Sequence, residues 1–187
     1  MSAQQNPDAE QPSADQPAAL HRNAGRVQDA LIAAGSHAQV RQLADSARTA
    51  AEAAAALGVD IGAIVNSLVF RAEPTDPPGE PIPLLVLTSG SHRVDVEHLG
   101  SALNLRLGRA DPEFVRAATG QPIGGVAPVG HPAPVRTVVD RVLADHPVVW
   151  AAAGHPHAVF PTTFDELVWL TGGDPVDVES TGGSAFG

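Results

Sequence analysis

The chain has 187 residues and a formal charge of −10, and its eleven basic residues are all Arg. Lys, Cys and Tyr are absent, which removes thiolate nucleophiles, Schiff-base and phosphate-loop lysines, disulfides and Cys-ligated zinc. Acid, base or nucleophile chemistry must come from eight His, twenty-one Asp plus Glu, and the Ser and Thr hydroxyls.

Residues 1–20 carry Asp8, Glu10 and Asp15, no Arg and few large apolar side chains, so a disordered acidic tail is expected there. Leu20, Val27, Ala30, Leu31 and Ala34 recur at helical spacing, with Gly35 as a stop. Residues 38–43 alternate and predict a short strand. Thr49 and Glu52 form a capping box ahead of an Ala-rich helix that Gly58 ends. Residues 61–65 read as a helical turn or two and run into a strand at 67–70. The Pro-rich stretch 71–83 reads as a turn or exposed loop, because Pro cannot donate to a central ladder. An apolar strand at 84–87 follows.

Asp95 caps a helix containing Val96, Leu99 and Leu103, and Asp111, Pro112 and Glu113 open another that Gly120 closes. Residues 135–139, 148–152 and 158–160 read as strands, and Thr163 with Glu166 as a capping box on a helix stopped by Gly172. Helices and strands interleave without a regular βαβ period, which predicts an α+β domain over 21–178 with a mixed sheet and a flexible tail at 179–187. No run reaches the ~20 apolar residues of a membrane span, and the acidic start lacks the features of a secretory signal, so a cytoplasmic protein is expected. With residues 1–20 and 174–187 set aside, each stretch holding three acids and no Arg, eleven Arg face fifteen acids. That balance argues against a broad nucleic-acid-coating surface and leaves room for a small site gripping a nucleic-acid end.

One segment stands apart for chemistry: GQPIGGVAPVG at 120–130, a stiff loop whose backbone N–H groups could cradle an oxyanion, a carbonyl or a phosphate, although composition alone slightly favours a structural crossover. His155 and His157 are spaced as a metal pair on a strand, but Pro156 interrupts them and no third ligand is marked, so a solvent-facing loop is the better reading. His92 and His98 flank a helix start and read as surface residues. Ser89-Gly90-Ser91-His92 lacks the nucleophile elbow of a Ser-His-Asp hydrolase. Arg93, Arg106, Arg109 and Arg116 could meet phosphate or form a solvated face with Asp95, Asp111 and Glu113.

Six segments in order, TAAEAAAALGV at 49–59, IVNSLVF at 64–70, SHRVDVEHLG at 91–100, RADPEFVRAATG at 109–120, IGGVAPVG at 123–130 and FDELVWLTGG at 164–173, resemble the YbaK/EbsC family. This family, also called the prolyl-tRNA synthetase-associated domain, comprises aminoacyl-tRNA deacylases. The resemblance covers roughly residues 25 to 178 and implies a mixed, partly barrel-like sheet surrounded by helices. It further implies trans-editing hydrolysis of a small amino acid from mischarged tRNA, typically the tRNA for proline, by attack of the adenosine 2′-hydroxyl or a water. The implied partners are the aminoacyl-tRNA acceptor end and an aminoacyl-tRNA synthetase, with no cofactor, metal or membrane.

Carried onto this sequence, the family pattern places Asn66 and Gly125 in the catalytic role. Ser67, Phe70, Gly124, Val126, Ala127, Pro128, Val129, Ala152 and Gly154 become substrate-binding positions. Three positions depart from it. Asn66 stands where the family has a lysine, Ala152-Ala153-Gly154 where it often has S-A-G, and Val129 where Phe is common. An amide still donates a hydrogen bond but brings no charge. The alternative is therefore a non-catalytic module that binds aminoacyl-tRNA or a nucleotide; a metal-assisted hydrolase built on His155 and His157 fits the ordered motifs poorly.

Overall fold

The computed structural model describes residues 20–44, 47 and 49–180. The tail expected at residues 1–20 lies outside them except for Leu20, as does the C-terminal tail from residue 181 onward. Five helices, α1 (Arg22–Ala33), α2 (Ala50–Leu57), α3 (Val96–Leu103), α4 (Pro112–Thr119) and α5 (Phe164–Thr171), pack on one sheet. Its strands are β1 (Arg41–Gln42), β2 (Ile64–Pro74), β3 (Ile82–Ser89), β4 (Leu105–Arg109), β5 (Arg136–Asp140), β6 (Val149–Ala152), β7 (Ala158–Thr162) and β8 (Asp174–Val176). The order is β1-β7-β6-β2-β3-β5-β8, with β4 on β2. Pairs β2/β6, β3/β5 and β5/β8 are parallel and the others antiparallel, so the α+β, mixed-sheet expectation holds. The sheet stays open, since its end strands β1 and β8 do not pair with each other.

Strand β3 is central, and its Leu-Leu-Val-Leu run is buried on both faces, as a strand covered on both sides requires. Leu85 and Leu87 enter a core with Val27, Leu31, Leu143, Phe160 and Leu167. Leu84 and Val86 enter a second with Leu99, Leu107 and Val138. A third, small cluster of Ala53, Ala54 and Ile64, with Trp150 packed against it, joins α2 to the sheet.

Several boundaries moved. The strand expected at 38–43 is two residues long, and the helical turn at 61–65 is a 3-10 turn, Ile61–Ala63, after which β2 begins at once. Strand β2 runs on through Arg71–Pro74, where β4 pairs with it and makes ladder out of the first four residues of the expected loop. Neither β4 nor β8 was foreseen. The capping box of Thr49 and Glu52 is reciprocal. At Thr163 it is half made, because the Glu166 carboxylate turns inward to accept from Ser36 Oγ at 2.6 Å and Thr162 Oγ1 at 2.7 Å. No helix among the described residues is long and apolar enough to cross a membrane.

Candidate functional site

Strand β2 has β3 along one edge, while its other edge is shared by two strands that do not meet. Strand β6 pairs with Ile64 and Val65, and β4 begins at Phe70. Residues 66–69 therefore face a break in the sheet. Backbone groups alternate across an antiparallel pair, and Ile64 O accepts from Gly90 N on the β3 side, so the N–H and C=O of Ser67 and Val69 point into the break. Two cavities, of about 400 and 360 Å³, meet there and share Ser67, Leu68, Ile123, Gly124 and Val126.

The larger cavity has Asn66, Ala152 and Val159 on its sheet wall, Thr49, Ala50 and Ala53 of α2 on one side, and the loop 123–126 over it. No Asp, Glu or Arg lines it. Register accounts for this wall. Asn66 sits opposite Thr88, Ala152 opposite Val159, and Val159 opposite Arg41; continuing the β2/β6 register by one residue sets Asn66 beside Ala152. One row thus runs Thr88, Asn66, Ala152, Val159, Arg41 across a single face. The small Ala152 keeps the row open at its centre. The Asn66 amide has no hydrogen-bond partner among the described residues, so its donors and acceptor are free for a ligand. Ser67 projects to the opposite face, and its buried Oγ has no partner either.

The glycine loop is rigid for identifiable reasons. Gly125 N donates to Pro122 O at 3.2 Å, closing a turn whose third position, Gly124, has φ 88°. A Cβ on Gly125 would stand 3.0 Å from the carbonyl carbon of His155, so only glycine lets the loop lie this close to the β6–β7 turn. The expected Gly125 N–H donor is thus committed to the turn. Of the loop amides over the cavity, those of Ile123, Gly124 and Val126 have no acceptor among the described residues.

Gln121, 3% exposed, ties the loop together: its Oε1 accepts from Ala127 N at 2.6 Å and its Nε2 donates to Val129 O at 3.2 Å. His131 adds Nε2–H to Ala127 O at 2.8 Å, and burial pushes its pKa down, which keeps the ring neutral. Replacing Gln121 by Leu leaves two backbone groups unpaired. The expected loss is about 2 kcal/mol of stability, read as a lower urea midpoint at constant m.

The structure gathers Asn66, Ser67, Gly124, Gly125, Val126 and Ala152 at the larger cavity. Phe70 lines the smaller one, Ala127 is in the core, Pro128 and Val129 line a separate groove near α5, and Gly154 packs on Asn23. Sequence reasoning missed Trp150 and Ile123, and it placed His155 in solvent. Ile123, an exposed apolar residue at the loop tip, overhangs both cavities. His155 lines the larger cavity and stacks on His21 with ring centroids 4.2 Å apart. Desolvation, His21 and His157 lower its pKa. Its Nδ1 accepts from His157 N, which leaves Nε2 as the protonated nitrogen of the neutral ring.

The other sequence candidates separate. Among the described residues no three His, Asp or Glu side chains come together to hold a metal ion. His92 is a half-buried bridge: Nδ1 bonds Asp140 Oδ2 at 2.9 Å and Nε2 faces Glu179 at 3.8 Å, with no serine on that nitrogen. Ser91 Oγ bonds Ser89 Oγ instead.

Comparisons with known proteins bear on the family and the fold. The sequence pattern of the aminoacyl-tRNA editing domain matches residues 44–170. YwhH of Bacillus subtilis (strain 168), an uncharacterized protein, is 27% identical over 128 residues, 68% of this chain and 78% of that one. A crystal structure of a candidate trans-editing enzyme for prolyl tRNA synthetase is 42% identical, with TM-score 0.78 over 87% of this chain and 99% of that one. A scaffold used for epitope grafting by computational design is 40% identical, with TM-score 0.79 over 86% and 99%.

Proposed function

The chain belongs to the aminoacyl-tRNA editing domain family, and from that premise we propose that it hydrolyses the ester of a mischarged tRNA, a small amino acid on the tRNA for proline. The observation that carries this reading is the cavity without Asp, Glu or Arg whose lining brings together the unengaged Asn66 amide and the loop residues Gly124 and Val126. Ester cleavage breaks the bond between the acyl carbon and the ribose oxygen. Water supplies hydroxide to the acyl carbon and a proton to that oxygen, through the neighbouring ribose hydroxyl or directly. Negative charge develops on the carbonyl oxygen, and fixed donors aimed at it are the largest aid a protein can give. Asn66 Nδ2–H and the loop amides fill that role. Ala152 and the break in the sheet leave room for the side chain, where a size difference of one methylene is worth about 1–3 kcal/mol.

One observation favours a second reading, a module that binds aminoacyl-tRNA without cleaving it. The titratable side chain lining the cavity is His155, whose free nitrogen is spent on the His157 amide. A deacylation panel with alanine, serine and cysteine on tRNAs for proline and alanine separates the two. Hydrolysis of at least one substrate well above the spontaneous rate is the expected result; tight binding with no rate above background selects the module. Association with the cognate synthetase is part of the same proposal, checked by pull-down with that synthetase.

A further inference from the structure

The larger cavity has no cationic side chain in its lining, and the chain contains no Lys. A nucleotide entering it carries a phosphodiester, and in a chain of net charge −10 that group needs a local positive partner. Arg41 is placed to supply one. It lies on the two-residue edge strand β1, directly opposite Val159, in the row that continues through Ala152 to Asn66. Cross-strand partners share a face, so its side chain leaves the sheet on the cavity side. Three strand spacings, roughly 14 Å at ~4.8 Å each, separate it from Asn66.

The guanidinium is held in place. It sits 5.1 Å from the ring centroid of Trp150, a wall of the cavity, and has no carboxylate partner among the described residues. By contrast Arg71 and Arg106 are drawn to Glu73, and Arg141 to Asp177. An Arg resting on an aromatic face at the rim of a cavity keeps its forked donors for an incoming oxyanion.

We propose that Arg41, oriented by Trp150, binds the phosphate on the 5′ side of the terminal nucleoside. This phosphate contact leaves the acyl ester near Asn66. It makes Arg41 a positioning residue that contributes binding and leaves the chemical step alone. The inference rests on the aminoacyl-tRNA reading of the same cavity.

The experiment compares wild type, Arg41→Gln, Arg41→Lys and Arg141→Gln as full chains on the mischarged tRNA that wild type hydrolyses. Arg41→Gln is expected to raise KM about tenfold with kcat within twofold. It is also expected to flatten the slope of log KM against log salt by about 0.7, the value of one lost phosphate contact on a single strand. Arg41→Lys keeps the slope, and Arg141→Gln matches wild type. An unchanged KM and slope in Arg41→Gln overturns the proposal. If wild type hydrolyses no mischarged tRNA, the deacylase reading fails by itself, and titration with AMP and adenosine tests Arg41 separately. AMP binding about tenfold weaker in Arg41→Gln, with adenosine unaffected, supports the contact. Equal AMP binding in both proteins, or none to wild type, sinks it.

Discussion

Replacing Asn66 by Ala is expected to lower kcat/KM for deacylation by roughly 10²-fold, the loss seen when one donor to a developing oxyanion is removed. Folding stability should stay within about 0.5 kcal/mol, because the Asn66 amide makes no hydrogen bond among the described residues that the substitution would break. The split between activity and stability is the readout: a single-turnover assay against a urea midpoint. An equal loss of both would make Asn66 structural. Asn66→Lys adds a cation in the same row. If wild type proves inactive and the Lys variant hydrolyses ester, the chain is a binding module whose chemistry depends on that charge.

The second large effect lies two strands away, on β5. Asp140→Ala is expected to cost about 3–5 kcal/mol, or roughly 10 °C in Tm for a chain of this size. Asp140 is 1% exposed. Its carboxylate accepts from Thr88 Oγ1 at 3.0 Å, Ser89 N at 3.2 Å, His92 Nδ1 at 2.9 Å and Val142 N at 3.3 Å. Removing it strands the Thr88 and Ser89 donors in the interior and leaves those of His92 and Val142 unpaired at its partly buried edge. Thr88 is the cross-strand neighbour of Asn66, so the carboxylate also braces the end of the cavity row. Asp140→Asn keeps the shape but turns an NH₂ toward donors, and should recover about half of the loss. Calorimetric Tm values for the two variants decide the matter, and a shift under about 2 °C for Asp140→Ala would show that the network carries little.

Local chemistry was legible. Thr49, Asp95, Asp111 and Thr163 each cap the helix expected of them, and Gly58, Gly120 and Gly172 each end one in the left-handed conformation. These signals act over four residues and need no partner from elsewhere. Strand β4 also carried a local sign, Leu105 and Leu107 alternating with Arg106, which the spacing of the arginines obscured. Strand β8 had none: three residues including Pro175 are a strand because β5 offers them a parallel edge. His92 read as a surface residue because its partners, Asp140 and Glu179, are 48 and 87 positions away.

The site divides the same way. Sequence alone determined the stiff glycine loop, the absence of Lys and hence the neutral Asn66, and the α+β character of the chain, since composition, turn chemistry and hydrophobic period are properties of short stretches. Which loop amide is free, which cavity each residue faces, and the row from Thr88 to Arg41 were decided only by the tertiary structure. The reason is register: a strand's pairing sets which face every side chain takes and which distant residue stands beside it, and a slip of one residue would send Asn66 and Arg41 to opposite sides of the sheet.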